Sequence, residues 1–476
     1  MRRALVVLVC ACAISLALAS PAVAVTRVVG TVRNINTHAA IKGAVVKSGK
    51  YSAKTNSKGS YSLTLKPGQQ LLTISVKQYL TTSQVATAVK NKNQTTNWFL
   101  TRSYPGNAVP SHKVTVLAWN DLGMHCDQDS YKYFMVLPPY NTLHAQVFGG
   151  GEDGGGGKYT VTYSFAKKTD STLHTDFWTY ASSFDYNLAP NVGLTGNGLT
   201  GSMQRDSKGL GYVATGIPVT PYDDDGTWDP YGAATITVKN SGGTVVATTK
   251  VVAPVSTEMT CSNCHGADFA VDILTKHDAA QGTSLLPDAN SGHPHSCSEC
   301  HSDNALGAAG KSGVESLSLA MHKLHDGKVP NTTAGCYNCH PGPKTECLRG
   351  IMARAGKGCV DCHGTLTTLW QSVANRGRQP WLNEPTCTSC HGSKHGENAG
   401  TLYRNSVLKN TYGEMNGRVY CEACHNGTHA EYTTSNPADM SITQTAQGNG
   451  YWIYNCAVCH QGGDEEVKFR GQAMHR

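Results

Sequence analysis

Cys261-Ser-Asn-Cys-His265, Cys297-Ser-Glu-Cys-His301, Cys336-Tyr-Asn-Cys-His340, Cys359-Val-Asp-Cys-His363, Cys387-Thr-Ser-Cys-His391, Cys421-Glu-Ala-Cys-His425 and Cys456-Ala-Val-Cys-His460 repeat one pentapeptide seven times in the second half of the chain. With 18 Cys and 20 His among 476 residues, chance predicts about 0.03 copies of Cys-x-x-Cys-His, and each copy reads as an attachment site for a c-type haem. Two thiols three positions apart lie on one side of a helical turn, where both can form thioethers with one porphyrin while the adjacent His reaches the iron. The thiols are Cys261 and Cys264, Cys297 and Cys300, Cys336 and Cys339, Cys359 and Cys362, Cys387 and Cys390, Cys421 and Cys424, and Cys456 and Cys459. The proximal imidazoles are His265, His301, His340, His363, His391, His425 and His460. Zinc ribbons share the Cys-x-x-Cys spacing, but they need neither a following His in every copy nor seven copies. The variable pairs between the cysteines carry no thioredoxin-like signature.

The sixth ligand of each iron decides between electron carriage and catalysis, because an iron held by two His is closed to substrate. Outside the motifs the same region holds His277, His293, His295, His322, His325, His395, His429 and His475. This surplus over seven irons favours bis-His ligation throughout. His322 and His325 lie three apart on a predicted helix and face one side, so they can serve two neighbouring haems. His277 ends another predicted helix, Ala270 to His277, and suits an early haem. His395 and His429 each follow a motif His by four residues, too near to reach the opposite face of the same iron. Of His293 and His295, which flank Pro294, one ligand is expected. His475 can reach an iron of its own chain or of a neighbour, or stay unbound. Met321 and Met352 are alternative ligands, although Met more often fills cores.

Residues 257–476 thus carry about one haem per 31 residues. So short a polypeptide between sites builds no conventional apolar core, and the porphyrin faces must supply buried surface instead. Short helices at the motifs, long irregular connections and almost no sheet are expected. Two cysteines remain, Cys126 and Cys347. They can form a disulfide; Cys347 could also replace Cys359 in a long-spaced attachment with Cys362, and Cys126 beside His125 could hold a metal.

Met1-Arg2-Arg3, the apolar run Ala4 to Ala19 and Ala22-Val23-Ala24 have the charge, length and cleavage pattern of a signal peptide over residues 1–24. The run is too short for a comfortable span, and no later segment approaches roughly 18 apolar residues, so no transmembrane segment is expected. The formal charge of +7 falls to about +5 without Arg2 and Arg3, and propionates bring it to roughly −2 with ferric haems and −9 with ferrous ones. Nucleic-acid binding is therefore not expected, and no basic cluster with interleaved aromatics supports it.

Residues 25–102 and 103–256 read as β-rich. Alternating runs occur at Arg27 to Arg33, Gly43 to Lys47 and Leu71 to Lys77, with turns at Asn56 to Gly59 and Lys66 to Gly68. Further runs lie at Lys113 to Trp119, Tyr159 to Phe165 and Ala234 to Lys239, followed by a hairpin through Asn240 to Gly243. Gly149 to Gly157 reads as a loop, with no Lys-Ser/Thr to make it a phosphate loop. Asp223 to Asp229 reads as a polar turn, only loosely like a calcium loop. The predicted fold is multidomain: two N-terminal β-sandwich-like domains, then a mostly irregular, sparsely helical multihaem domain at 257–476.

The segment GTVRN…AIKGAVVKSG…AKTNSKGSYSLTLKPGQQLLTISVKQYLT resembles the carboxypeptidase regulatory-like family of secreted β-sandwiches. That resemblance implies a spacer or docking module, since the segment holds one His, His38, and no paired metal ligands. The strings AWNDLGMHC (118–126) and VLPPYNTLHAQV (136–147), with VSTEMTCSNCHG, GCYNCHPGPKTECLRGIM and GCVDCHG, are similar to a family of exported multihaem cytochromes of respiring bacteria. The similarity runs from Trp119 to His391. It implies electron transfer at or beyond the outer membrane, with other redox proteins or an external acceptor as partners, in the periplasm, at the outer membrane or outside the cell. A homo-oligomer or filament is compatible with it. The expected function is electron transfer through seven bis-His haems rather than enzymatic catalysis. Two alternatives are a reductase of nitrogen or sulfur oxyanions at one open haem, and a surface adhesin carrying a redox domain.

Overall fold

The computed structural model of the chain describes residues 26–34, 39–79, 82–100, 114–149, 159–386, 389–390, 396–398, 406–408, 419–448, 450–453 and 458. These divide into two compact units, Met1–Tyr104 and Pro105–Arg476.

Alternation of apolar and polar residues builds the first unit. Its strands are β1 (Arg27–Asn34), β2 (Val45–Ser48), β3 (Tyr51–Lys54), β4 (Ser60–Thr64), β5 (Gly68–Ser75), β6 (Thr82–Ala88), β7 (Asn93–Thr95) and β8 (Trp98–Leu100). They form one sheet in the order β4-β1-β7, with β8 also pairing β1, and another in the order β3-β2-β5-β6. Val28 and Val32 of β1 meet Val46, Leu72 and Ile74 of the other sheet in a common core, so the unit is a β-sandwich. Asn56 makes the β3–β4 turn by accepting from the backbone of Lys58 and Ser60 at 2.9 and 3.0 Å.

The second unit contains the β-rich stretch and the Cys-rich stretch together. One sheet runs β13 (Gln204–Arg205), β14 (Tyr212–Ala214), β10 (Leu143–Gly149), β9 (Val114–Asn120). The other runs β12 (Thr200–Ser202), β11 (Thr160–Phe165), β15 (Ala233–Lys239), β16 (Val245–Val252). Val116 and Ala118 of β9 face Val161, Ile236 and Val251 across this sandwich. The alternate residues Leu117 and Trp119 are buried too, against Tyr420, Ala423 and Cys424 of the sixth motif and Val458 of the seventh. A strand buried on both faces requires a nearly continuous apolar run, which Val114 to Trp119 supplies. Among the described residues no helix is long and apolar enough to cross a membrane.

The turn after β9 carries the sandwich into the Cys-rich segment. Asn120 winds it, accepting from Leu122 N at 3.1 Å and Gly123 N at 2.7 Å while donating to Asn141 Oδ1 at 2.6 Å. Gly123 has φ +85°, and a Cβ there would lie 2.1 Å from the Thr428 carbonyl oxygen; the reverse contact, from Gly427 to the Asn120 oxygen, would be 2.0 Å. Side chains are excluded where the two segments cross. Arg349 locks the crossing: its Nη1 donates to the Gly123 oxygen at 2.5 Å, and Nε and Nη2 bind both oxygens of Asp439 at 2.6 and 2.9 Å. The Arg349 and Asp439 side chains are 0% and 1% exposed. Removing one member of such a pair strands a buried charge, which costs about 3–5 kcal/mol. Asp439→Ala should therefore destabilise the protein by about that amount in denaturant titration, whereas replacing Arg349 and Asp439 together by Met and Leu should cost markedly less.

Candidate metal centres

Each described motif is a single tight turn in which the ring-bearing residue bonds back to the first cysteine. The amide of His265 donates to the Cys261 oxygen, His301 to Cys297 and His340 to Cys336, all at 3.0 Å. This closure brings the two thiols to one side. The chain leaves the first, fourth and sixth turns through Gly266, Gly364 and Asn426, all of positive φ.

The imidazoles then meet in pairs drawn from different segments. His265 faces His325 with ring centres 6.5 Å apart, His277 faces His301 at 6.4 Å, His322 faces His340 at 6.2 Å and His363 faces His429 at 6.2 Å. An imidazole nitrogen lies about 1.15 Å from its ring centre and about 2.0 Å from a first-row metal, so two rings on opposite sides of one ion stand about 6.3 Å apart. The observed separations fit an iron between each pair. The ring planes cross at 72°, 81°, 13° and 52° respectively.

Two helices supply three of these partners. Helix α1 (Phe269–Gln281) follows the first motif and ends near His277; helix α2 (Leu317–His325) carries both His322 and His325. Ser316 starts α2 by accepting from Leu319 N, and the preceding Glu315 carbonyl accepts from His301 Nδ1 at 2.7 Å. Residues three apart on a helix point to one side, so one turn of α2 faces both His340 and His265.

The hydrogen bonds fix which nitrogen is left for a metal. His322 Nδ1 donates to the Ser318 carbonyl at 2.7 Å, His325 Nδ1 to that of Met321 at 2.7 Å and His429 Nδ1 to that of Leu122 at 3.1 Å. A carbonyl oxygen only accepts, so Nδ1 carries the proton and Nε2 keeps its lone pair. His265 Nδ1 meets Asp272 Oδ2 at 2.6 Å, His363 Nδ1 meets Glu384 Oε2 at 3.3 Å, and His277 Nδ1 meets Thr283 Oγ1 at 3.0 Å. Desolvation pushes the imidazole of His429 down to about 4, which keeps it in the neutral form that binds metal. Glu384, beside His363 and Arg378, is held down to about 2 despite its burial.

Packing points to a large apolar group. Between Thr257 and residue 386, Leu274 and Ala289 are the only buried hydrophobic residues, while Leu324 is 61% exposed and Met321 42%. Helix α3 (Leu366–Arg376) buries none of its residues. Polypeptide this lacking in core is not self-supporting. A cavity of about 660 Å³ opens beside the fourth motif, lined by Cys362, His363, Arg376, Arg378 and Glu384. Its arginines suit the carboxylates of a porphyrin edge.

Several motifs touch directly. Thr260 Oγ1, before the first motif, donates to the Asn338 carbonyl of the third at 2.8 Å, and Cys359 N of the fourth donates to Thr333 Oγ1, before the third, at 3.1 Å. Glu258 gathers the loop after the third motif, accepting from Gly342 N, Lys344 N, Thr345 N and Thr345 Oγ1 at 2.7–3.2 Å. His429, in the loop after the sixth motif, faces the fourth. The first and third motifs and the third and fourth are therefore direct neighbours, the loop after the sixth lies beside the fourth, and the loop after the second touches Pro380 through Asn304 Nδ2 at 3.0 Å.

Other candidate residues sit differently. His295 is held on both nitrogens, by Glu299 at 2.8 Å and Asp288 at 3.1 Å, so neither is left for iron. His293 is not among the paired rings. Cys126 and Cys347 are free thiols that burial pushes up to about 12, and Cys347 Sγ lies 3.8 Å from His429 Nδ1. His125 bonds Asp121 at 2.7 Å. Asp223 and Asp224 accept from Lys167 and Thr169 of a distant segment and Asp225 from Thr227 of its own turn, and no group of three or more His, Cys, Asp or Glu suited to a bare metal ion occurs among the described residues. Cys387, His391, His395, Cys456, Cys459, His460, His475, His38 and the loop 150–158 lie outside the described residues, and of the fifth and seventh motifs only Cys390, Ser389 and Val458 fall inside. Asp272, Glu384, Glu258 and Arg349 were not legible as site residues from spacing. Only the recurrence of Glu258 and Arg349 within the quoted strings marked their neighbourhood.

No protein family and no curated protein matches the chain. Among solved structures, two mutants of a type II cohesin–X-dockerin complex from Acetivibrio cellulolyticus match at 19% identity over 15% and 18% of this chain and 52% and 61% of theirs, with TM-scores of 0.13 and 0.15. The chain thus spans less than two thirds of those structures. The major pilin subunit BcpA of Bacillus cereus matches at 10% identity over 48% of this chain and 68% of its own, with a TM-score of 0.14. Similarities this weak carry no argument about fold or function.

The geometry separates two neighbouring His by consequence. If an iron sits between His277 and His301, His277→Ala should open it, giving a high-spin ferric signal and carbon monoxide binding by the reduced protein. His295→Gln should leave the spectrum of the parent unchanged.

Proposed function

We propose that the chain is an exported multihaem c-type cytochrome that carries electrons, with seven covalently held haems. The observation that carries this reading is the set of four opposed imidazole pairs, each joining a Cys-x-x-Cys-His histidine to a second histidine at the separation one iron requires. His265 and His325 would hold the first haem iron, His301 and His277 the second, His340 and His322 the third, and His363 and His429 the fourth. The cysteines would anchor each porphyrin by thioethers. When bound, haem supplies a reversible one-electron iron(III)/iron(II) couple.

The residues do the rest. With haem bound, each pair would supply two ligands to one iron and leave no position for substrate, which favours carriage over reduction of an oxyanion. Carbonyls and carboxylates on Nδ1 keep the rings from rotating and hold their tautomers, so little need reorganise when the charge on iron changes. The signal-like first 24 residues support export, and other redox proteins or an external acceptor are the partners on this reading.

Pyridine haemochrome assay and intact mass of the mature protein should both give seven haems. The ferric protein should be low-spin, and the reduced protein should bind negligible carbon monoxide. Stoichiometric carbon monoxide binding by the parent protein would instead support the reductase reading.

A further inference from the structure

The ring nitrogens facing away from the irons are not treated alike. His277, His301, His322, His325 and His429 donate to neutral carbonyl or hydroxyl oxygens. Two motif histidines meet carboxylates instead, His265 with Asp272 at 2.6 Å and His363 with Glu384 at 3.3 Å. Each carboxylate is shared with one cation: Asp272 with Lys276 Nζ at 2.5 Å, Glu384 with Arg378 Nη2 at 2.6 Å. They reach their rings from different directions. Asp272 stands in the first turn of α1, whereas Glu384 lies beyond α3 and is fixed by Trp381 N at 2.9 Å.

A carboxylate that accepts from Nδ1–H makes the imidazole a stronger donor through Nε2. Stronger donation stabilises iron(III) relative to iron(II), and hydrogen bonding to the axial ligand is one of the means by which a protein sets haem potential. We infer that Asp272 and Glu384 are positioning residues that make the first and fourth haems more reducing than the second, with Lys276 and Arg378 limiting the effect. This rests on the haem reading above. It adds that the chain of sites is uneven, with its two carboxylate-backed irons on either side of the third.

The test is potentiometric titration of the full-length, haem-loaded protein, followed by its Soret and α bands. Asp272→Asn and Glu384→Gln keep an oxygen acceptor and remove the charge; each should move one of the seven one-electron steps to more positive potential, and the double variant should move two. Lys276→Gln and Arg378→Gln, which free the carboxylates from their cations, should move the same steps the opposite way. Asp268→Asn removes an equal charge from the start of α1, where that residue makes no capping hydrogen bond, and should shift the first step less than Asp272→Asn does. A titration unchanged in both carboxylate variants, with haem content and low-spin spectrum intact, overturns the inference. So does an equal shift from Asp268→Asn, or a high-spin spectrum in the carboxylate variants, which would make these residues props for the ring. Absence of low-spin c-type haem in the parent protein would instead overturn the underlying reading.

Discussion

The opposed imidazole pairs are the constraint on which the Cys-rich half depends. Each joins residues that neither sheet nor helix would bring together: His363 and His429 are 66 positions apart, His265 and His325 are 60. Ordinary folding offers little to hold such segments, since Leu274 and Ala289 are the only buried hydrophobics from Thr257 to residue 386. Two coordinate bonds and two thioethers per site can replace that missing core, because cross-links restrict the unfolded chain whatever its composition. The exposed apolar face of α2, with Leu324 and Met321, belongs to the same logic: on the proposed reading it is a surface for a porphyrin to cover.

The sandwich and the Cys-rich segment are one body because a single turn serves both. Asn120 closes the turn, and two successive carbonyls leave it for the Cys-rich segment. Leu122 accepts from His429 and Gly123 accepts from Arg349. The first sets a ring, the second ties the chain around it. Burying the Arg349–Asp439 pair is not an economical way to gain stability, but it fixes the crossing of segments at which His429 is presented to His363. Trp119 and Leu117 add an apolar seat for the sixth motif on the outer face of β9. The β-rich stretch thereby helps to place the ring of His429 opposite His363.

Most of what the sequence made legible was local. The β-runs from Arg27 and from Val114 fall on strands because their patterns match the pleat, and Asn56 and Asn240 sit in turns where their side chains accept backbone amides. The seven motifs stand out by composition alone, and the haem chemistry they suggest is the reading proposed above. The pairing of His277 with His301, or of His429 with His363, was not legible, because spacing along the chain says nothing about which distant segment crosses which. The division into three regions likewise followed composition, whereas Pro105–Arg476 forms one compact unit through packing on β9. Asp272 and Glu384 were missed for a plainer reason: an acidic residue in a first helical turn is common, and nothing in sequence marks the one that meets an iron ligand.

Neighbourhood among the sites also departs from chain order, and α2 is the cause. Its Nδ1 atoms bond back to the carbonyls of Ser318 and Met321, four residues earlier in each case, so both rings are aimed by the helix itself. One turn rises about 5.4 Å, so the two rings start close together, and the first and third motifs must approach one another to reach them. They do, through Thr260 and Asn338. The second motif meets the start of the same helix, where the Glu315 carbonyl accepts from His301 Nδ1, while His277 of α1 faces the His301 ring. A helix of nine residues therefore sets the sequence of neighbours for three sites. On the proposed reading, the four opposed pairs and the neighbours α2 fixes suit a carrier, in which the polypeptide's task is to hold irons apart by set distances, more than a reductase, in which one position must be left open to substrate.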